Sequence, residues 1–90
     1  MKFKRLRTYK GTTTLVELPN NDIRRCIRCN VTNGNGVPIA RFMTQINEDK
    51  LVCTLNPEVT MSLSGHYKYE IVVENDKGVQ VLQYGILEVM

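Results

Sequence analysis

Alternation of apolar and polar residues dominates this chain. Segments of five to eleven residues, rich in Val, Ile, Leu, Thr and Tyr, are separated by short polar turns. This pattern predicts strands over residues 3–9, 13–18, 23–31, 39–46, 51–55, 67–74 and 79–89. The turns have matching chemistry. "LPNND" combines a proline with two Asn and an Asp, and "TNGNGVP" carries two Asn-Gly pairs suited to the positive φ angles of tight turns. "NEDK" and "NDKG" close two further hairpins. No segment shows the three-to-four residue spacing of an amphipathic helix. One short helical turn is predicted within "NPEVTMSLSG", where Asn56 suits the cap, Pro57 the first helical position and Gly65 the stop.

The two-residue period assigns faces. In 23–31, Ile23, Ile27, Cys29 and Val31 are predicted to point one way and Arg24, Arg28 and Asn30 the other. Arg25 breaks the rule, which marks the first part of that strand as an edge. Leu51, Cys53 and Leu55 share a face. Tyr67, Tyr69, Ile71 and Val73 form an inward set opposed by Lys68, Glu70 and Glu74. The last segment changes phase at Gly85, which predicts a β-bulge there, with Val81 and then Ile86 or Leu87 reaching the same core. Seven short strands at this spacing give an all-β protein, a sandwich or small barrel.

Ninety residues suffice for one domain with one core and leave little room for a deep cleft. An apolar fraction of 42% with 23% charged residues indicates a folded chain rather than a disordered one. The net charge of +3 hides an asymmetry. "MKFKRLRTYK" carries Lys2, Lys4, Arg5, Arg7 and Lys10 and no acid, while the other eighty residues hold seven Lys/Arg against nine Asp/Glu. Residues 1–10 therefore read as a basic arm or edge strand and 11–90 as the sandwich. The arm has three readings: an edge strand protected by charge, a contact for an acidic protein, or a contact for nucleic acid. Arg24, Arg25, Arg28 and Arg41 would extend the basic patch in the last case. No apolar run approaches the roughly 18 residues of a membrane span, and the start lacks the apolar stretch of a secretion signal. The expectation is a chain that meets no membrane and stays in the reducing compartment where it is made, which suits three cysteines, an odd number.

"CIRC", Cys26 to Cys29, has the spacing of a redox pair or half a zinc site, and Cys53 with His66 would complete a Cys3His set. An extended strand argues against both, because residues three apart point to opposite faces and sit roughly 10 Å apart. These cysteines are expected to be small apolar residues. His66 has no Ser or Asp at triad spacing, and the acids fall mainly in turns or on the outward face. The expectation is no catalytic residue, no metal and no cofactor.

"LSGHYKYEIVVENDKG", residues 63–78, resembles the E–F corner and F–G hairpin of an immunoglobulin-like domain. Gly65 precedes a corner tyrosine, Tyr67, and Tyr69 stands where that family has its second core cysteine. The resemblance implies a single Ig-like β-sandwich of about seven short antiparallel strands, without the usual inter-sheet disulfide. It also implies that the Tyr67 ring is buried, with its hydroxyl bonded to backbone near residues 57–64. Residues 36–89 also resemble a type of small virion protein of tailed bacteriophages, through "GVPI" at 36–39, "PEVTMSLSGHYKYE" at 57–70 and "GILEV" at 85–89. That resemblance implies a non-enzymatic structural protein, made in the host cytoplasm and carried in the virion as a multi-copy component. It would decorate the capsid or serve in the neck, tail or baseplate, and its partners would be other virion proteins. Lys2, Lys4, Arg5, Arg7 and Lys10 are the expected partner-binding residues, and Gly65, Tyr67, Tyr69 and Gly85 the structural corners. The alternative is a small nucleic-acid-binding or inhibitory protein that uses the basic arm.

Overall fold

The computed structural model describes residues 2–90; Met1, the first residue of the arm, lies outside them. It is an all-β sandwich with eight strands and one short helix: β1 (Leu6–Thr8), β2 (Thr14–Pro19), β3 (Ile23–Thr32), β4 (Pro38–Arg41), β5 (Met43–Ile46), β6 (Lys50–Leu55), α1 (Pro57–Met61), β7 (Gly65–Asn75) and β8 (Gly78–Val89). One sheet has the order β1-β8-β7-β3-β4 and the other β2-β6-β5. All pairs are antiparallel except β1 with β8, which run parallel. The core between the sheets is built from alternate residues, among them Val16, Cys29, Val31, Leu51, Cys53, Leu55, Tyr69, Ile71, Val73 and Leu87.

The expected strand over 39–46 is two strands in different sheets. Phe42 is the joint: its N–H donates to the Cys29 carbonyl at 2.8 Å, and its ring is buried and meets Tyr69 edge to face. An aromatic anchored in the core lets the chain cross from one sheet to the other without an unpaired N–H at the bend.

Two bulges in β3 account for the phase break at Arg25. Ile23 pairs with Asn75 and Arg25 with Glu74, while Cys26 pairs with Val73 and Arg28 with Val72, so Arg24 and Ile27 are the extra residues. The predicted faces are corrected accordingly. Ile27 is only half-buried, and Cys26, expected on the opposite face from Cys29, packs against the same core. The bulges also bring Arg25 and Arg28 out beside Glu74 and Glu70, each at 3.0 Å. The first half of β3 is an edge, because β4 pairs only with Asn30, Val31 and Thr32.

The bulge predicted at Gly85 lies instead at Leu82. Ile71 pairs with Gln83 and Val72 with Val81, which leaves Leu82 as the extra residue, turned to the core in place of Val81. Gly85 pairs in register with Tyr69, Leu87 is fully buried, and Ile86 faces outward. The helix begins as predicted, with Asn56 ahead of Pro57, but the Asn56 side chain makes no cap bond. Its carbonyl accepts the Val59 and Thr60 N–H groups while its amide reaches the Met43 sulfur. The helix stops at Ser62, and Gly65 opens β7 at φ +93°, where a side chain would be strained. Tyr67 is half-buried rather than buried, and its hydroxyl accepts the Ser64 N–H at 2.9 Å.

Candidate functional site

The basic arm runs along the outer edge of β8. Lys2 and Lys4 grip Tyr84 from both sides: the Tyr84 N–H donates to the Lys2 carbonyl and the Lys4 N–H to the Tyr84 carbonyl, both at 2.9 Å. Phe3 bridges Tyr84 as a parallel pair, and Leu6–Thr8 then pair with Leu87–Val89. The Met90 N–H donates to the Thr8 carbonyl and the Lys10 N–H to the Met90 carbonyl, which extends the seam to the end of the arm. Leu6 packs against the core and Thr8 is buried, so one side of this strand is structural.

A lock under the arm comes from β7 and β8. The buried Tyr69 hydroxyl donates to the Lys4 carbonyl at 2.7 Å and accepts from the Gln83 amide at 3.0 Å. Burial pushes the Tyr69 phenol up, partly offset by the Gln83 bond. Gly85 is glycine for a second reason than the one read from sequence: a Cβ there would collide with the Lys4 backbone. Tyr69 and Gly85, expected at a structural corner, both hold the arm. Gln83 was missed altogether. Its signal was a polar residue in the inward phase of an apolar strand.

The arm's cations are divided. Arg7 pairs with Glu88 at 3.0 Å, and His66 also lies 3.2 Å from that carboxylate. The Arg7 guanidinium holds the Glu88 carboxyl below the usual range, against a smaller opposing push from burial and with further help from His66 and Arg5. Lys2, Lys4, Arg5 and Lys10 are exposed and have no acid within ion-pair distance among the described residues. Because β1 ends its sheet, its outer backbone edge is also open. The structure therefore brings the five predicted arm residues onto one sheet edge, four of them free. It does not gather Arg24, Arg25, Arg28 and Arg41 beside them, since β3 is separated from β1 by β8 and β7, and Arg25 and Arg28 already have acidic partners.

The cysteines form a different kind of cluster. Cys29 and Cys53 are buried and face each other across the sandwich, and Cys26 shares a small cavity of about 140 Å³ with Cys29, Arg41, Phe42 and Thr44. The neighbouring Cys53 thiol and burial both push the Cys29 thiol far up, and burial raises Cys26. These are protonated thiols, poor nucleophiles and poor ligands at neutral pH. His66 stands at the far end of β7 beside Glu88. Among the described residues no group of three His, Cys, Asp or Glu converges as a metal site. Nor is any helix long and apolar enough to cross a membrane.

No protein-family model matches the chain, and no curated protein matches it at a significant level. Solved structures do. A titin M4 domain superposes with a TM-score of 0.59 at 21% identity, over 100% of this chain and 92% of that one. A titin Ig tandem gives 0.59 at 11%, covering 97% of this chain and 44% of that longer one. A complex of titin M10 with an obscurin-like 1 Ig domain gives 0.54 at 15%, over 100% and 90%. At these identities the likeness establishes an Ig-like fold and nothing about role.

Proposed function

We propose that this Ig-like sandwich is a non-enzymatic assembly module that docks its β1 edge on an acidic surface of another protein subunit. The observation that carries this reading is the division of labour in the arm. One edge of its backbone, Leu6 and Thr8 are committed to the sheet, while Lys2, Lys4, Arg5 and Lys10 stay in solvent with no acid within ion-pair distance among the described residues, on a segment held against β8 from below. Fixed cations of one sign steer an acidic partner and set its register, and the open strand edge offers backbone bonds beside them. The similarity of residues 36–89 to tailed-phage virion modules supports a partner within a phage particle, with this chain as a capsid-decoration, neck or tail/baseplate component. A titin Ig domain seen in complex with another Ig domain supports protein binding by this fold. Nucleic acid fits less well, because the unpaired cations of the arm lie along one strand edge, and Arg25 and Arg28 on the face beyond it are already paired with acids.

The test is a charge reversal that leaves the strand intact: Lys2→Glu, Lys4→Glu and Arg5→Glu together. Deleting the arm would be a poorer test, since it removes a strand and the acceptor of the Tyr69 hydroxyl. The reversed protein is expected to melt like the parent and to fail to incorporate into the source particle. Normal incorporation would refute the reading. A steep salt-dependent affinity for oligonucleotide, lost on reversal, would favour nucleic acid instead.

A further inference from the structure

On the outer face of the larger sheet, directly beside the arm, lies a groove of about 580 Å³ that neither the core nor the arm's backbone pairing requires. Its size falls within the range of roughly 300–1,000 Å³ typical of sites that enclose an organic group. The apolar walls are Phe3, Tyr84, Ile86 and Pro38. Phe3 and Tyr84 meet edge to face with centroids 5.4 Å apart and are still 57% and 39% exposed. Gly36 and Gly85 contribute no side chains to the lining, which keeps the space open. Contiguous aromatic surface left uncovered at the mouth of a concavity is costly in water and marks a contact surface.

Charge identifies the occupant. Arg28 and Glu70 in the lining neutralise each other at 3.0 Å. Lys68, also in the lining, has no acid within ion-pair distance among the described residues, and neither does Arg5, which strand alternation places on the same face as Phe3. Uncompensated cations thus stand in the lining and beside it, and the carboxylate in the lining, Glu70, is already engaged. We propose that this groove receives an aromatic side chain of an acidic peptide segment, with carboxylates on either side of that residue meeting Lys68 and Arg5. An aromatic ring suits the site better than an aliphatic one, because it can extend the edge-to-face pair and lie against the Lys68 ammonium. The inference rests on the reading of the arm as an edge for an acidic partner and adds what that partner inserts.

Three short peptides of equal length separate the possibilities when titrated into the full chain and followed by NMR: one with Trp flanked by Asp and Glu, one with Ala in place of Trp, and one with Trp flanked by Lys. The acidic Trp peptide is expected to saturate, with amide shifts centred on Phe3, Lys68, Tyr84 and Ile86. The Ala peptide should bind at least about tenfold more weakly, and the Lys peptide should not saturate. Tyr84→Ala and, away from the arm, Lys68→Glu should each weaken the acidic Trp peptide by a similar factor while the thermal melt shows a folded protein. Equal binding of the Trp and Ala peptides overturns the groove but leaves the arm reading standing. No binding of either acidic peptide overturns both. Saturation by the Lys peptide overturns the assignment of charge, and tighter binding of a single-stranded oligonucleotide than of any peptide overturns the assignment to protein.

Discussion

Two stretches of this chain carry residues that suggest chemistry, the basic arm and "CIRC", and the fold treats them in opposite ways. The arm pairs one edge of its backbone with β8 above a tyrosine–glutamine lock and leaves its charges in water. The cysteine stretch turns its thiols toward the core and leaves Arg25 and Arg28 outside, paired. The arm keeps Lys2, Lys4, Arg5 and Lys10 exposed on a seated backbone, with no acid within ion-pair distance among the described residues, which is what recognition needs. The thiol cluster keeps side chains that pack against the core and against one another, which is what packing needs. Accessible charge, and not the presence of a recognisable spacing, separates a site from a core.

The sharpest way to break this contrast is at Gly85. Gly85→Ala would force a methyl into the Lys4 backbone, and a loss of about 3 kcal/mol is expected in urea unfolding, together with faster proteolysis within the arm. A neutral outcome would mean that the arm is not seated on β8. Tyr69→Phe removes the donor to Lys4 and strands the buried Gln83 amide, and should cost about 2 kcal/mol by the same measurement. Tyr67→Phe, which loses only a half-exposed bond to the Ser64 N–H, should cost about 1 kcal/mol or less.

On the thiol side the expected effects are smaller still. Purified protein should contain less than stoichiometric zinc, and a chelator should leave the melting point unchanged. One tightly held zinc per chain, lost together with the fold, would show the three cysteines to be ligands after all. Raised thiol pKa values also fix a sign. In the unfolded chain the thiols ionise above about pH 8.5, while the folded Cys26 and Cys29 keep their protons to higher pH. Their contribution to stability is therefore present below that value and falls as the pH rises past it. Glu88 has the opposite sign and the smallest effect. Its lowered pKa gives a contribution present above the unfolded carboxylate value of about 4.3 and lost as the pH falls through the folded one. The stability difference between parent and Arg7→Ala should accordingly shrink below about pH 4.

Period-two alternation, turn chemistry and the Gly65–Tyr67 corner were enough to read the sandwich, because strand faces and tight turns are local properties. The errors have a common cause. The bulges at Arg24, Ile27 and Leu82 each insert one residue and flip every face beyond them, and no propensity marks an insertion. The split at Phe42 was hidden because an aromatic crossing between sheets looks like one more strand residue. Of the candidate site, the charges of the arm were plain in the sequence. The Tyr69–Gln83 lock and the groove beneath Phe3 and Tyr84 were not, since both depend on residues far apart in the chain meeting at the β1–β8 seam.

Lysine footprinting reads out directly whether the arm meets a partner. Acetylation of the free chain should label Lys2, Lys4 and Lys10 readily, along with Lys77 in the β7–β8 turn. In the assembly with its partner, Lys2 and Lys4 are expected to become protected while Lys77 stays reactive. If Lys2 and Lys4 label as fast in the assembly as in the free protein, the arm is an edge strand with solvated charges and the partner surface lies elsewhere.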